Sequence, residues 1–442
     1  MRAIEWFRDH ALRRLLRFGV PIALSKLATS FLGLVTMALL AHHLGPAKFG
    51  VIAVIRTLIS VVDSYASSSA SLAIIKYGTQ AIAEGKRHDV QRLIKLGLTI
   101  EVFTCTLGAI VAAAVAFAVP SAFGWTSHEA SLCALYALAI LSHFGETPDG
   151  VFRLCDAYRV QAIATSLGGL AMTVAVAIAV GIGGSFDTCV MALLAGEIFG
   201  NLLVLAAGLW VARRGGFGGW MQARLEGWRE DFPGIVRFLV SISAQQTVKK
   251  SQSELDMFVV GAMLGKAASG LLRVIKQLGT IPGRAFMPFE QVLFTELARC
   301  SATGDYSGFR RLLVRTVAIF ATCSLVMWLV VSAFAEPIVD VVAGTDFLPA
   351  VPALRWYFLA MVLGVTNAPV LRAMIALGRP GTLFLFDVST LGLLFVTSIL
   401  GTYFWGLTGL AIALVVHKSI QLAWSTILTD RIVQRRQASP AS

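Results

Sequence analysis

The sequence predicts an all-α integral membrane protein of about twelve transmembrane helices, and three observations predict it. The chain is 57% hydrophobic and only 14% charged, with a mean hydropathy of +0.76. A soluble domain needs roughly a quarter charged residues to cover its surface, so most of this surface has to meet lipid. Apolar runs recur along the chain, each long enough to cross a hydrocarbon core about 30 Å thick. Lys and Arg crowd alternate loops, as the positive-inside rule expects. A soluble enzyme is excluded.

The runs place spans at 18–42, 50–76, 96–119, 130–154, 160–183 and 188–212, then at 236–263, 270–298, 312–335, 353–377, 382–404 and 407–430. The second, fourth, seventh and eighth carry charges or prolines that lower their hydropathy. Residues 1–17 form an amphipathic cationic lead-in, with Trp6, Phe7, Leu12, Leu15 and Leu16 against Arg8, Arg13, Arg14 and Arg17. No A-x-A-like cleavage site follows a short apolar core, so a removable signal peptide is not indicated. The lead-in reads as interfacial.

Orientation follows from the loops. Basic residues crowd the N-terminus, 76–95, 213–237, 299–315 and the tail, whereas the alternate loops carry little beyond Lys48, Lys266 and Arg355. Both termini are thereby predicted to be cytoplasmic, with an even number of spans. The net charge of +12 is a topology signal, and no nucleic-acid motif competes with it. Residues 213–235 are a cytoplasmic connector between groups of six helices (18–212 and 236–430), and 431–442 a cytoplasmic tail. The six cysteines show no C-x-x-C spacing and read as packed thiols rather than metal ligands or disulfides.

An internal repeat organises the chain. Residues 44–58 (LGPAKFGVIAVIRTL) and 264–278 (LGKAASGLLRVIKQL) share Leu44/Leu264, Gly45/Gly265, Ala47/Ala267, Gly50/Gly270, Val54/Val274, Ile55/Ile275 and Leu58/Leu278 at a constant offset. Arg56 matches Lys276 in charge. Six spans per repeat keep both halves in one orientation, so the expected architecture is two parallel six-helix bundles related by a pseudo-two-fold along the membrane normal. A cleft between facing bundles is transporter architecture.

The segment Ala41-His-His-Leu-Gly-Pro-Ala-Lys-Phe-Gly50 resembles the A-x-x-LGP-x-x-FG signature of polysaccharide flippases. These export lipid-linked O-antigen, capsule and exopolysaccharide units within the multidrug/oligosaccharidyl-lipid/polysaccharide superfamily. The junction with Asp256, Gly265 and Gly270 is similar to the family's second-half pattern, although Leu271 stands where the family often has Tyr.

Ionisable residues at membrane depth are the candidate site. Lys26 lies in the first span, Arg56 and Asp63 in the second, Glu146 and Asp149 in the fourth. Lys249, Lys250 and Glu254 lie in the seventh, Arg273, Lys276, Arg284 and Glu290 in the eighth, and Arg372 in the tenth. A central Lys or Arg facing lipid costs about 2.5–3.5 kcal/mol on the insertion scale, so several together need a wet or paired interior. Arg273, Lys276, Thr280 and Arg284 share a helix face, as do Arg56, Ser60, Asp63, Ser67 and Ser71. Structural pairing or snorkelling is the competing explanation for each.

Cations outnumber anions in this set. The resemblance implies that the matching helices line a central cavity, and that the substrate is a polyprenyl-diphosphate-linked glycan whose lipid tail stays in the bilayer. On that reading Lys249, Lys250, Arg284, Arg273, Lys276, Arg56 and Lys26 bind the anionic diphosphate and glycan. Asp63, Glu146, Asp149 and Glu254 are the candidate ion-coupling carboxylates. Gly261–Lys266 is one residue short of a phosphate loop, and Ala267 stands where Ser or Thr is required. No ATP motor or cofactor is expected. Other expected partners are membrane lipids and glycan-assembly proteins, and the expected location is the bacterial cytoplasmic (inner) membrane. The rivals are a cation-coupled small-molecule exporter of the same superfamily, whose cavity would be acidic, and a membrane-embedded glycan polymerase or ligase, which would favour a large external loop.

Overall fold

The computed structural model describes residues 10–66, 69–378 and 380–438. Among them every regular element is a helix. Helix α1 is His10–Ala66, α2 Ala70–Ala83, α3 Arg87–Ala118, α4 Ser127–Tyr136, α5 Glu146–Leu154, α6 Tyr158–Gly181 and α7 Phe186–Ala212. After the connector come α8 Ile235–Gly279, α9 Ile281–Ala302, α10 Tyr306–Ala333, α11 Ala335–Ala343, α12 Val351–Ala376 and α13 Pro380–Ala438.

Eight stretches of the described residues are long and apolar enough to cross a membrane. Three of them, Ser25–Ala83, Ile235–Arg284 and Ser389–Gln437, are more than twice the roughly twenty residues a crossing needs. Each is interrupted by a glycine at positive φ: Gly45 (φ 69°, ψ 173°), Gly265 (φ 81°, ψ −166°) and Gly406 (φ 58°, ψ −139°). L-residues reach this region only with strain, so glycine is the residue that permits the break. Counting those stretches twice and adding the broken fourth span accounts for the twelve crossings. Gly45 and Gly265 are partners in the sequence repeat, and they adopt nearly the same backbone conformation.

By contacts the chain divides into two compact units, one of residues 1–44 and 51–254, the other of residues 45–50 and 255–442. The first runs beyond the expected connector, because polar contacts fasten the start of α8 to α1 and α2. Ser243 Oγ donates to Ser69 Oγ (3.2 Å), Thr247 Oγ1 donates to the Ser64 carbonyl (2.8 Å), and Tyr65 Oη lies 3.4 Å from Ser251 Oγ.

In the first unit, α1 meets α6 through Thr36 and Thr173 (2.9 Å) and Ser25 and Ser166 (3.1 Å). Gly168 of α6 lies against the backbone of Gly200 on α7, and Gly196 against that of Met172. Without a hydrophobic drive between helices in lipid, such close approach at small residues supplies the packing. Val102, Phe103, Leu107, Ile110, Val111 and Phe117 are exposed along α3, an apolar stripe that a soluble protein would not leave uncovered.

At one end of this unit, Ala73, Ile74, Tyr77, Leu93, Leu96, Phe232 and Ile235 form a buried cluster. The connector is fastened there. Arg92 Nε donates to the Arg224 carbonyl (2.8 Å), its guanidinium pairs with Asp231, and Lys95 Nζ donates to the carbonyls of Met221 (2.9 Å) and Ala223 (2.8 Å). Arg92 and Lys95, on α3 rather than in a loop, hold the connector in place.

In the second unit, Leu293, Leu297, Phe309, Leu313, Ala373, Leu377 and Val433 bring α9, α10, α12 and α13 together. Gly50 and Gly270 make a reciprocal contact there: a Cβ on Gly50 would meet the Lys266 carbonyl, and one on Gly270 the Pro46 carbonyl. Pro46/Lys266 and Gly50/Gly270 are repeat partners. Contact i to j is thus matched by j to i.

The second and fourth spans depart from single expected helices. α1 ends at Ala66, and Ser69 is left-handed (φ 48°) before α2 starts; serine side chains favour such local backbone alternatives over a helix interior. The fourth span consists of α4, a tight helical turn over Ala137–Ser142, a break, and α5. Pro148 has no N–H to give a helix continuing from upstream. Glu101 on α3 caps α5 instead, its Oε1 accepting from the amides of Glu146 (2.8 Å) and Thr147 (3.0 Å).

Candidate functional site

In the first unit, Arg56 and Asp63 are seven residues apart on α1 and share a face. Glu197 and Asn201, four apart on α7, reach the break in the fourth span. Arg56 Nη2 lies 3.7 Å from Glu197 Oε2, and His143 lies between carboxylates, with Nδ1 2.8 Å from Asp63 Oδ1 and Nε2 3.3 Å from Glu197 Oε1. Tyr136 donates its hydroxyl to Glu197. Asn201 Nδ2 donates to Ser142 Oγ (3.0 Å), and Cys105 Sγ to the His143 carbonyl (3.7 Å). Arg56, Glu197, His143 and Asp63 therefore form a continuous ladder along about two turns of α1, roughly 10 Å.

The other carboxylates read from the sequence lie apart from that ladder or at its edge. Glu146 accepts the Ser71 hydroxyl, and Asp149 accepts Gln161 Nε2 (2.8 Å) with Arg153 3.8 Å away. Buried Glu254 has Lys250 3.4 Å away, one turn back on α8. Lys250 keeps 38% of its side chain exposed. Lys26 is exposed on α1, and the side chain of Lys249 lies outside the described residues.

In the second unit Lys276 Nζ lies 2.6 Å from Asp256 Oδ1, both largely buried. Arg372 donates from Nε (3.2 Å) and Nη2 (3.0 Å) to Glu290 Oε2. Arg273 is partly buried and Arg284 exposed. Eleven residues separate Arg56 from Gly45 and Lys276 from Gly265, about 16 Å along each helix. Both repeat-partner cations lie deep within their own span and meet a carboxylate there. Arg284 is in the first turn of α9, past the end of α8 at Gly279, toward the end predicted to be cytoplasmic.

His143, Glu197, Tyr136 and Glu101 lie outside the stripes read from the sequence. Glu197 and Glu101 carry the same signal as Asp63, an ionisable residue in an apolar run. His143, inside the expected fourth span, carries it too, but only the break in that span gives it its partners.

Together these features define an all-helical, multi-pass membrane protein with ionisable residues enclosed in both units. Residues 39–352 match the family described as polysaccharide biosynthesis protein, and the chain belongs to that family. It is 20% identical over 357 residues to the inner membrane protein YghQ of Escherichia coli (strain K12), covering 78% of this chain and 97% of that protein. Its fold is similar to a multidrug resistance MATE family transporter of the MOP superfamily in an inward-facing conformation, with TM-score 0.72, 12% identity and coverage of 93% and 96%. It is also similar to the lipid II flippase MurJ in an inward closed conformation, with TM-score 0.71, 15% identity and coverage of 94% and 89%.

Proposed function

We propose that the protein is a flippase that moves a polyprenyl-diphosphate-linked oligosaccharide across the bacterial cytoplasmic membrane by alternating access, for surface polysaccharide synthesis. Membership of a polysaccharide biosynthesis family supports the glycan. Similarity of fold to transporters, one a lipid II flippase, supports movement of a lipid-linked substrate rather than catalysis. The observation that carries the anionic substrate is the exposure of Lys26 and Arg284, with Lys250 partly exposed beside Glu254, on helices apolar enough to span a membrane. Holding cations there is expensive unless water or an anion meets them.

Lys249, Lys250 and Arg284 bind the diphosphate, with Lys26 and Arg273 serving the glycan and its phosphates. Arg56 and Lys276 already meet carboxylates, and reach the substrate by exchanging those partners. A charge-assisted hydrogen bond is worth roughly 1.5–3 kcal/mol, about ten- to a hundredfold in affinity. Arg284→Gln, made and inserted at the normal level, loses glycan export in a complementation assay. Arg284→Lys restores part of it, keeping the charge and losing the planar fork. Full export by a Lys249→Gln, Lys250→Gln, Arg284→Gln triple variant overturns the assignment.

A further inference from the structure

The ladder in the first unit has a protonation state that its close nitrogen–oxygen contacts decide. Both ring nitrogens of His143 face carboxylate oxygens, Asp63 Oδ1 at 2.8 Å and Glu197 Oε1 at 3.3 Å. An ionised carboxylate only accepts, so each nitrogen has to donate. A neutral imidazole carries one N–H and an imidazolium two. The arrangement thus holds one proton more than a neutral His143 beside two carboxylates.

Charge balance agrees. Arg56, Asp63 and Glu197 sum to −1, which a neutral imidazole leaves unchanged and an imidazolium cancels. At a site largely withdrawn from water, uncompensated charge is costly. The groups facing His143 are Arg56 and Asp63 from α1, Tyr136 from α4 and Glu197 from α7. Cys105 on α3 reaches its carbonyl, and Glu101 and Glu146 lie at the following α5 terminus.

We propose that Arg56, Asp63, His143 and Glu197 form a one-proton switch that fastens the sixth span to the break in the fourth. A proton taken from water binds His143 and gives it its second N–H; its loss returns one proton to water. The neutral ring can donate to only one carboxylate and turns a lone pair toward the other. Glu197 is the one released, since its contact is the longer and Tyr136 and Arg56 remain to hold it, whereas Asp63 keeps Nδ1. The segment released, His143 to Gly145, lies outside regular helix and has few backbone bonds to lose on moving. A reversible clasp at a discontinuous span is a means of coupling proton movement to a transport cycle. This purpose rests on the flippase reading, but proton binding does not.

The test is a histidine-selective 15N NMR titration of the full chain in lipid bilayers. His143→Gln identifies the signal. A second protein that keeps His143 and carries Gln at the other six histidines identifies it independently should the first fail to insert. The expected spectrum at pH 7 has both His143 nitrogens protonated, changing to a single neutral tautomer as pH rises. Asp63→Asn moves that change to lower pH by at least one unit, a tenfold weaker hold on the proton. A neutral tautomer at pH 6 overturns the proposal, as does an imidazolium unchanged from pH 5 to 10, which makes the cluster a static ion pair. If the titration behaves as expected while His143→Gln exports glycan normally, the proton site stands and its coupling to glycan export fails.

Discussion

Lys276 and Asp256 lie 2.6 Å apart with little of either side chain exposed. Removing one member of such a pair strands the other, at about 3–5 kcal/mol, whereas replacing both with apolar residues is often near neutral. Lys276→Met is therefore expected to lower the unfolding midpoint sharply in detergent, and Lys276→Met with Asp256→Leu to recover most of it. A double variant as unstable as the single one would show that the cost is packing. At the exposed start of α10, the Gly308 amide and the Ser307 hydroxyl donate to Asp305 and hold its carboxyl below the usual carboxylate range. Its capping contribution is full above the ordinary Asp pKa and lost as pH falls through the depressed value. Amide exchange at Gly308, corrected for the intrinsic rate, should accelerate in Asp305→Ala and in the native protein only at acid pH. Of these residues, Lys276 was legible as a buried charge because an apolar run surrounds it. Its partner was not, since spacing along one helix says nothing of how it folds back at Gly265.

Among elements, the broken fourth span depends on a carboxylate borrowed from a neighbour. Glu101→Ala leaves the first amides of α5 without an acceptor and should cost about 0.5–2 kcal/mol, the usual range for a lost cap. Glu101→Gln keeps the accepting oxygen and should retain most of that stability; equal losses in thermal unfolding would place the role in the charge. The paired glycines make a sharper case. An added methyl at Gly50 or Gly270 meets backbone carbonyl rather than a movable side chain, so Gly50→Ala and Gly270→Ala should each reduce the yield of folded protein in detergent. If either behaves like the native chain in size-exclusion chromatography, that contact does not constrain the fold. The repeat and the long helices could be read from apolar periodicity and aligned glycines. The break at residues 143–145 was legible only in Pro148, since the cap from Glu101 is a tertiary contact that no local pattern records.

For the whole molecule, the distribution of Lys and Arg predicts the 120–129 loop outside and the 213–235 connector inside the cell. Ser121 and Met221 are exposed and suit a labelling test in a chain cleared of native cysteines. An impermeant reagent applied to sealed cells should modify Ser121→Cys and spare Met221→Cys; the reverse would invert the topology.

The fastening of the connector by Arg92 and Lys95 also bears on what a severed polypeptide would do. Arg213 to Gly216 are exposed, so a protease site placed there can be cut in the folded protein. Downstream of the cut, Arg224 and Asp231 remain bonded to Arg92, and Phe232 and Ile235 remain in the buried cluster with Tyr77 and Leu93. Ser243 and Thr247 hold the next turns to Ser69 and Ser64. The nicked protein should elute as one particle until denatured, its two pieces held by noncovalent contacts alone.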